Sequence, residues 1–135
     1  MEKTKFQKSI ILVIDDNPVN LRTMKVFLES RFEVIPVKSG TLGFEVLKTR
    51  QIDLILLDIE MPVMSGFEFM KQLKATPAFG NIPVVCVTAH DATPEFISSV
   101  IHAGAKDFVT KPFEPLTLQN KVIRALNLNE YVLES

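Results

Sequence analysis

The chain is poor in the residues that would staple, anchor or strongly charge it. It has one cysteine, Cys86, in 135 residues, so no intramolecular disulfide can form and a bridge-held secreted scaffold is excluded. It has no tryptophan, one tyrosine and only five glycines. Charge of either sign is not in surplus: 15 Lys and Arg stand against 16 Asp and Glu, a net charge of -1. Binding of nucleic acid through bulk positive charge is therefore excluded, although a local patch is not. Long apolar runs are also missing. Stretches such as Ile10 to Ile14 are far too short to span a bilayer, and the polar start at Met1-Glu2-Lys3-Thr4-Lys5 does not read as a signal peptide. What is present is ordinary globular composition, 47% hydrophobic and 23% charged. The expectation is one soluble, reduced, cytoplasmic domain with a core of its own.

The apolar residues come in short continuous runs rather than alternating ones, which marks strands buried on both faces. Ile10 to Ile14 predicts a first strand that ends in Asp15-Asp16. Asn17-Pro18 opens a helix to about Ser30, with a side-chain cap and proline in the first turn. Phe32 to Val37 is the second strand, and Pro36 argues for an edge position. A helix over Gly40 to Arg50 leads to the third strand, Leu54 to Leu57, which again ends in an acid, Asp58. After a loop with Pro62 and Gly66 come a helix from Phe67 to Ala75, a turn over Pro77 to Asn81, and a strand from Ile82 to Val87 ending at Thr88. Pro94 to Ala103 is a helix closed by Gly104, Lys106 to Val109 a short fifth strand, and Leu116 to Leu126 the last helix. Residues 1–9 read as a loose arm, and 127–135, with Tyr131-Val132-Leu133, as a tail or the start of a linker. Strand and helix alternate five times, which means a parallel sheet with helices on both faces.

Ligands of such sheets bind at the carboxyl ends of the strands. Those ends carry Asp15, Asp16, Asp58, Thr88 and, just past the fifth strand, Lys111. Taken singly each is ordinary: an acid pair caps a helix, Asp58 forms a turn, Thr88 belongs to a strand and Lys111 to a loop. Their convergence is the signal. Three carboxylates repel one another, and one ammonium plus a divalent cation would neutralise them. Hard oxygen donors suit Mg²⁺ or Mn²⁺ better than zinc. A carboxylate in that setting can act as a nucleophile toward phosphorus, with the Lys ammonium and the Thr hydroxyl on the phosphoryl oxygens. His90 and His102 lack a partner at ligand spacing, and Cys86, inside an apolar strand, reads as an inert buried thiol.

The segments Ile-Leu-Val-Ile-Asp-Asp-Asn, Leu-Ile-Leu-Leu-Asp-Ile-Glu-Met-Pro, Val-Cys-Val-Thr-Ala and Ala-Gly-Ala-Lys-Asp-Phe-Val-Thr-Lys-Pro-Phe carry a family resemblance. From about Ser9 to Leu126 the chain resembles the receiver domain of bacterial two-component response regulators. The resemblance implies an α/β fold, a doubly wound (βα)5 five-stranded parallel sheet of flavodoxin-like order 2-1-3-4-5, with the domain over 10–126. It implies Asp58 as phosphoacceptor. Asp16, Asp58 and the Glu60 backbone carbonyl would ligate Mg²⁺, with Asp15 acting through a water. Lys111 would pair with the carboxylate and then with the phosphoryl group. Thr88 and Phe108 would form the switch, and the Lys111–Pro112 peptide would be cis. A sensor histidine kinase or phosphotransfer protein would be the donor. The fourth helix, fifth strand and fifth helix would form the output or dimer face, and neither nucleic acid nor membrane would be bound directly. Three positions depart from the family pattern. Val63 replaces a glycine, and Gly43 replaces an alanine at a helix cost of up to about 1 kcal/mol. Phe108 replaces the more usual tyrosine, and without a hydroxyl its inward state should cost less. Glu60 and His90 stand where the family tunes phosphate lifetime.

Rival classes fit less well. A phosphohydrolase of the Asp-x-Asp type would place its nucleophile after the first strand. A flavodoxin-type cofactor binder needs a Gly, Ser and Thr-rich phosphate loop where Asp15-Asp16-Asn17-Pro18 stands. A degenerate receiver used only for binding would not need all five site residues.

Overall fold

The computed structural model describes residues 8–61, 65–89 and 91–126. Expectations for the arm over 1–7, for Pro62 and Val63, for His90 and for the tail over 127–135 lie outside the described residues. Among the described residues ten elements alternate: β1 Ile10–Ile14, α1 Pro18–Leu28, β2 Glu33–Val37, α2 Gly40–Thr49 and β3 Leu54–Asp58, followed by α3 Gly66–Ala75, β4 Val84–Thr88, α4 Pro94–His102, β5 Asp107–Thr110 and α5 Pro115–Ala125. All strand pairs are parallel and the sheet order is β2-β1-β3-β4-β5. The fold class is the one expected. β2, with its Pro36, is an edge strand.

The continuous apolar runs divide between two cores with period two. On one face Leu12, Ile14, Ile55, Leu57, Val84 and Cys86 pack with Leu47 of α2, Phe69, Met70 and Leu73 of α3, and Val100 of α4. On the other, Ile11, Val13, Leu54, Leu56, Val85 and Val87 pack with Met24 and Leu28 of α1 and Leu118, Val122 and Ile123 of α5. A strand with helices on both faces has no polar position to spare, hence runs rather than alternation. Each fully buried Leu, Ile or Phe side chain contributes roughly 1.5–3 kcal/mol relative to exposure.

Element boundaries moved by one or two residues, each for a local reason. Phe32 is not strand: its N–H donates to the Leu28 carbonyl at 2.9 Å, closing the end of α1. β4 starts after Pro83, which has no N–H to give a ladder, although its carbonyl accepts from Ile55 at 3.0 Å. α3 starts at Gly66 because the Ser65 hydroxyl accepts from the Glu68 N–H. Asn17 caps α1 as expected, its Oδ1 accepting from the N–H groups of Val19 and Asn20 at 2.8 and 3.1 Å. Gly104, at φ +118°, closes α4 in a conformation that glycine adopts without strain. Gly43 has a packing reason that offsets its helix cost: a Cβ there would lie 2.7 Å from Ile14 Cδ1 and 3.4 Å from the Phe69 ring.

β1 sits between β2 and β3, so the chain winds outward from it in both directions. The crevice at that reversal lies beyond the carboxyl ends of β1 and β3. No helix among the described residues is long and apolar enough to cross a membrane.

Candidate functional site

The crevice gathers the acids that end β1 and β3. One carboxylate oxygen from each of Asp15, Asp16 and Asp58 lies within 4.8 Å of the others. Asp15 and Asp58 are buried, at 0% and 3% exposure, while Asp16 faces solvent. Backbone geometry fixes each acid. The Asp15 N–H donates to the Val37 carbonyl at 3.2 Å, tying the end of β1 to β2. Asp15 Oδ1 accepts from the Asn17 N–H at 2.9 Å, and Asp58 Oδ1 from the Glu60 N–H at 3.0 Å. The same motif, an acid at a strand end accepting the N–H two residues on, thus occurs twice in one crevice.

Two more elements close the rim. Thr88 ends β4 beside Thr110 of β5, and the Lys111 N–H donates to the Thr88 carbonyl at 2.9 Å. That bond brings the Lys111 side chain back over the crevice, its Nζ 3.8 Å from Asp58 Oδ2. The Lys111–Pro112 peptide is cis. Asp15, Asp16, Asp58, Thr88 and Lys111 are therefore on one rim, as the strand ends predicted. Glu60 is exposed at the same edge.

Asp15 Oδ2 and Thr88 Oγ1 are buried and have no hydrogen-bond partner among the described residues. Buried polar atoms are normally satisfied, and leaving one bare costs roughly 1–3 kcal/mol. Asp58 shows the same tension in its ionisation. Burial pushes its pKa up from 3.8 to about 6, and the neighbouring Asp15 carboxylate pushes the same way. The Glu60 N–H and Lys111 pull it down without prevailing. A cation among these oxygens would reverse the balance. The donor set is carboxylate oxygen throughout, which fits Mg²⁺ or Mn²⁺ better than zinc.

Behind the rim, Phe108 of β5 is half-buried. Its N–H donates to its neighbour's carboxylate, Asp107 Oδ1, at 2.8 Å. Lys121 of α5 reaches the same carboxylate at 3.1 and 3.2 Å, and its ammonium stands 5.2 Å from the centre of the Phe108 ring. No sequence pattern announced Lys121, because the contact depends on how α5 lies across β5. Nor did the pattern single out Gly66: a Cβ there would fall 2.6 Å from Ile59 Cα and 3.1 Å from the Asp58 carbonyl, so the start of α3 presses against the strand end that bears Asp58. His102 is exposed in the last turn of α4, away from the acids. Cys86 is fully buried, its Sγ 3.9 Å from the Met70 sulfur, and burial pushes its thiol up to about 12. Burial thus disfavours the thiolate, the form that reacts.

Residues 11–123 match the response regulator receiver domain family. Among curated proteins, the chain is 36% identical to a probable cyclic di-GMP phosphodiesterase of Vibrio cholerae, over 98% of this chain and 32% of that protein. The chain spans about a third to a half of the length of such curated relatives. Among solved structures, the chemotaxis response regulator CheY4 of Vibrio cholerae superposes with a TM-score of 0.81 at 27% identity, over 88% of this chain and 99% of that one. The receiver domain of the Pseudomonas aeruginosa sensor histidine kinase PA1611, solved with a magnesium ion coordinated in its active site cleft, gives 0.80 at 26% identity, over 90% and 99%.

Proposed function

Because this chain belongs to the response regulator receiver domain family, we propose that it is a two-component signalling switch that accepts a phosphoryl group from a phosphohistidine onto Asp58. The observation that carries this reading is Asp58 itself. It is a buried carboxylate whose ionised form is held against its environment, with an ammonium on one side and two acids on the other.

An Asp58 carboxylate oxygen would attack phosphorus in line. The P–N bond of the donor breaks and its electron pair stays on the imidazole, leaving an acyl phosphate on Asp58. Lys111, now 3.8 Å from the carboxylate, would pair with a phosphoryl oxygen. Thr88 Oγ1, which has no partner among the described residues, would donate to another. Asp16, Asp58 and the Glu60 backbone carbonyl, with Asp15 through a water, are the groups that would hold Mg²⁺. When bound it supplies positive charge that offsets the three carboxylates and the phosphoryl oxygens.

Movement of Thr88 toward the phosphoryl group would release space behind it for Phe108. Phe108 has no hydroxyl to keep in water, but an inward turn would give up the Lys121 ammonium above its ring, a partly buried contact of roughly 0.5–2 kcal/mol. The cheaper inward state expected from phenylalanine is thereby partly offset. The two-state change would be read on the α4–β5–α5 face by an effector or a second copy. The donor would be a sensor histidine kinase or a phosphotransfer protein. The chain would also speed loss of its own phosphate without turning over external substrates.

Intact mass after incubation with acetyl phosphate tests the reading. Wild type should gain one phosphoryl group only with Mg²⁺ present, and Asp58→Asn should gain none. An equal gain by the variant, or a folded wild type that gains nothing, would contradict it.

A further inference from the structure

We propose that the trough between α1 and α2 is a second docking site, fitted to an acidic amphipathic helix of a partner protein. It lies at the β2 edge of the sheet, is lined by no residue of α4, β5 or α5, and has a volume of about 810 Å³. Its floor is apolar: Leu21 from α1, Pro36 and Val37 from β2, and Leu42 and Val46 from α2. Leu42 is 41% exposed, a large apolar side chain left in water.

The rim of the trough is cationic. Arg22 and Lys25 on α1 and Lys38 after β2 line it, and all three are exposed. None has a side-chain hydrogen bond or ion pair among the described residues. The one acid in the lining, Glu45, is 3.2 Å from Lys48 and so is already paired. In a chain of net charge -1, three unpaired cations around one apolar floor are a local excess. They complement carboxylates flanking an apolar stripe.

The geometry selects a helix. β2 is an edge strand, but Pro36 has no N–H and interrupts the ladder that an added strand would need. The α1 wall from Pro18 to Lys25 runs ~10 Å at helical rise, room for about two turns of a partner helix with apolar residues at i, i+3 or i+4, and i+7. Single-stranded nucleic acid would look for aromatic platforms, and the lining has none. The trough also abuts the acidic crevice, since the Val37 carbonyl accepts from the Asp15 N–H. An occupant would therefore sit one residue from that crevice, whether or not Asp58 takes phosphate.

The test is selection of helical peptides from an unbiased display library against the unphosphorylated chain, followed by binding measurements on a selected peptide. Selected sequences should carry an apolar stripe flanked by Asp and Glu. Their affinity should fall at least tenfold in the triple variant R22E/K25E/K38E and in Leu42→Glu, both checked for fold by circular dichroism. Affinity should also fall with added salt, and amide shifts should centre on Leu21, Val37, Leu42 and Val46. Lys38→Gln alone should give a smaller loss, which guards against a folding artefact. The proposal is overturned if no peptide prefers wild type to the triple variant, if selected peptides are basic, if the shifts fall on another face, or if duplex DNA competes where an acidic peptide does not.

Discussion

Along β3, Leu54 to Leu57 and Asp58 share one strand and are almost wholly buried, yet they do opposite things. The four apolar residues gain free energy by leaving water. Asp58 loses it, and Asp15 at the end of β1 buries an oxygen, Oδ2, that has no hydrogen-bond partner among the described residues. The strand interiors are where the fold is stabilised, and the strand ends are where part of that stability is given up to buried polar groups. The same division holds on β4, where Val84 to Val87 are core and Thr88 ends the strand with a hydroxyl that has no partner among the described residues.

Breaking the interior should have the largest effect. Leu56→Ala removes a fully buried side chain from the α1–α5 core and should cost about 3 kcal/mol in urea unfolding. A cost under about 1 kcal/mol would mean that this core is not close-packed. Gly66→Ala sits where the two regions meet. Its Cβ meets backbone at Ile59, which cannot yield as a flexible side chain would, so a loss of about 2 kcal/mol and slower phosphoryl uptake are expected together. Loss of stability with normal uptake would uncouple the start of α3 from the site.

Thr88→Val sharpens the contrast with the smallest change. It keeps the shape and deletes a buried hydroxyl that has no partner among the described residues, so the fold should gain about 1 kcal/mol while phosphoryl uptake or its structural response weakens. A destabilised Thr88→Val would show that the hydroxyl is satisfied in solution.

The interiors were also the more legible part. Five strands and five helices followed from unbroken apolar runs and helix caps, because burial on both faces leaves that plain mark in Ile10 to Ile14 and Leu54 to Leu57. Pro36 gave away the edge strand by lacking a donor. The strand-end residues were legible as a set, since parallel topology sends every strand end to one rim. Contacts set by approach rather than by pattern were not. Gly66 reads as a loop glycine until its distance to Ile59 is known, and Gly43 reads as a helix defect until Ile14 and Phe69 are seen against it. Lys121 reads as a solvated lysine until α5 lies across β5. Arg22, Lys25 and Lys38, sixteen positions apart at most, meet only because α1 and β2 frame one trough.

The contrast is tested most directly by the stability of wild type and Asp58→Asn against pH, in EDTA. The native Asp58 carboxyl titrates near 6 and the unfolded one near 3.8, so the native state holds its proton longer. Wild-type stability from this group is fully present below about pH 4 and is lost as pH rises through about 6. Asparagine cannot ionise and escapes that loss. At pH 7.5 Asp58→Asn should be the more stable protein by on the order of 2–3 kcal/mol, with the gap closing below about pH 4. A variant that is equally or less stable than wild type at every pH would contradict the claim that the end of β3 is held against its own stability.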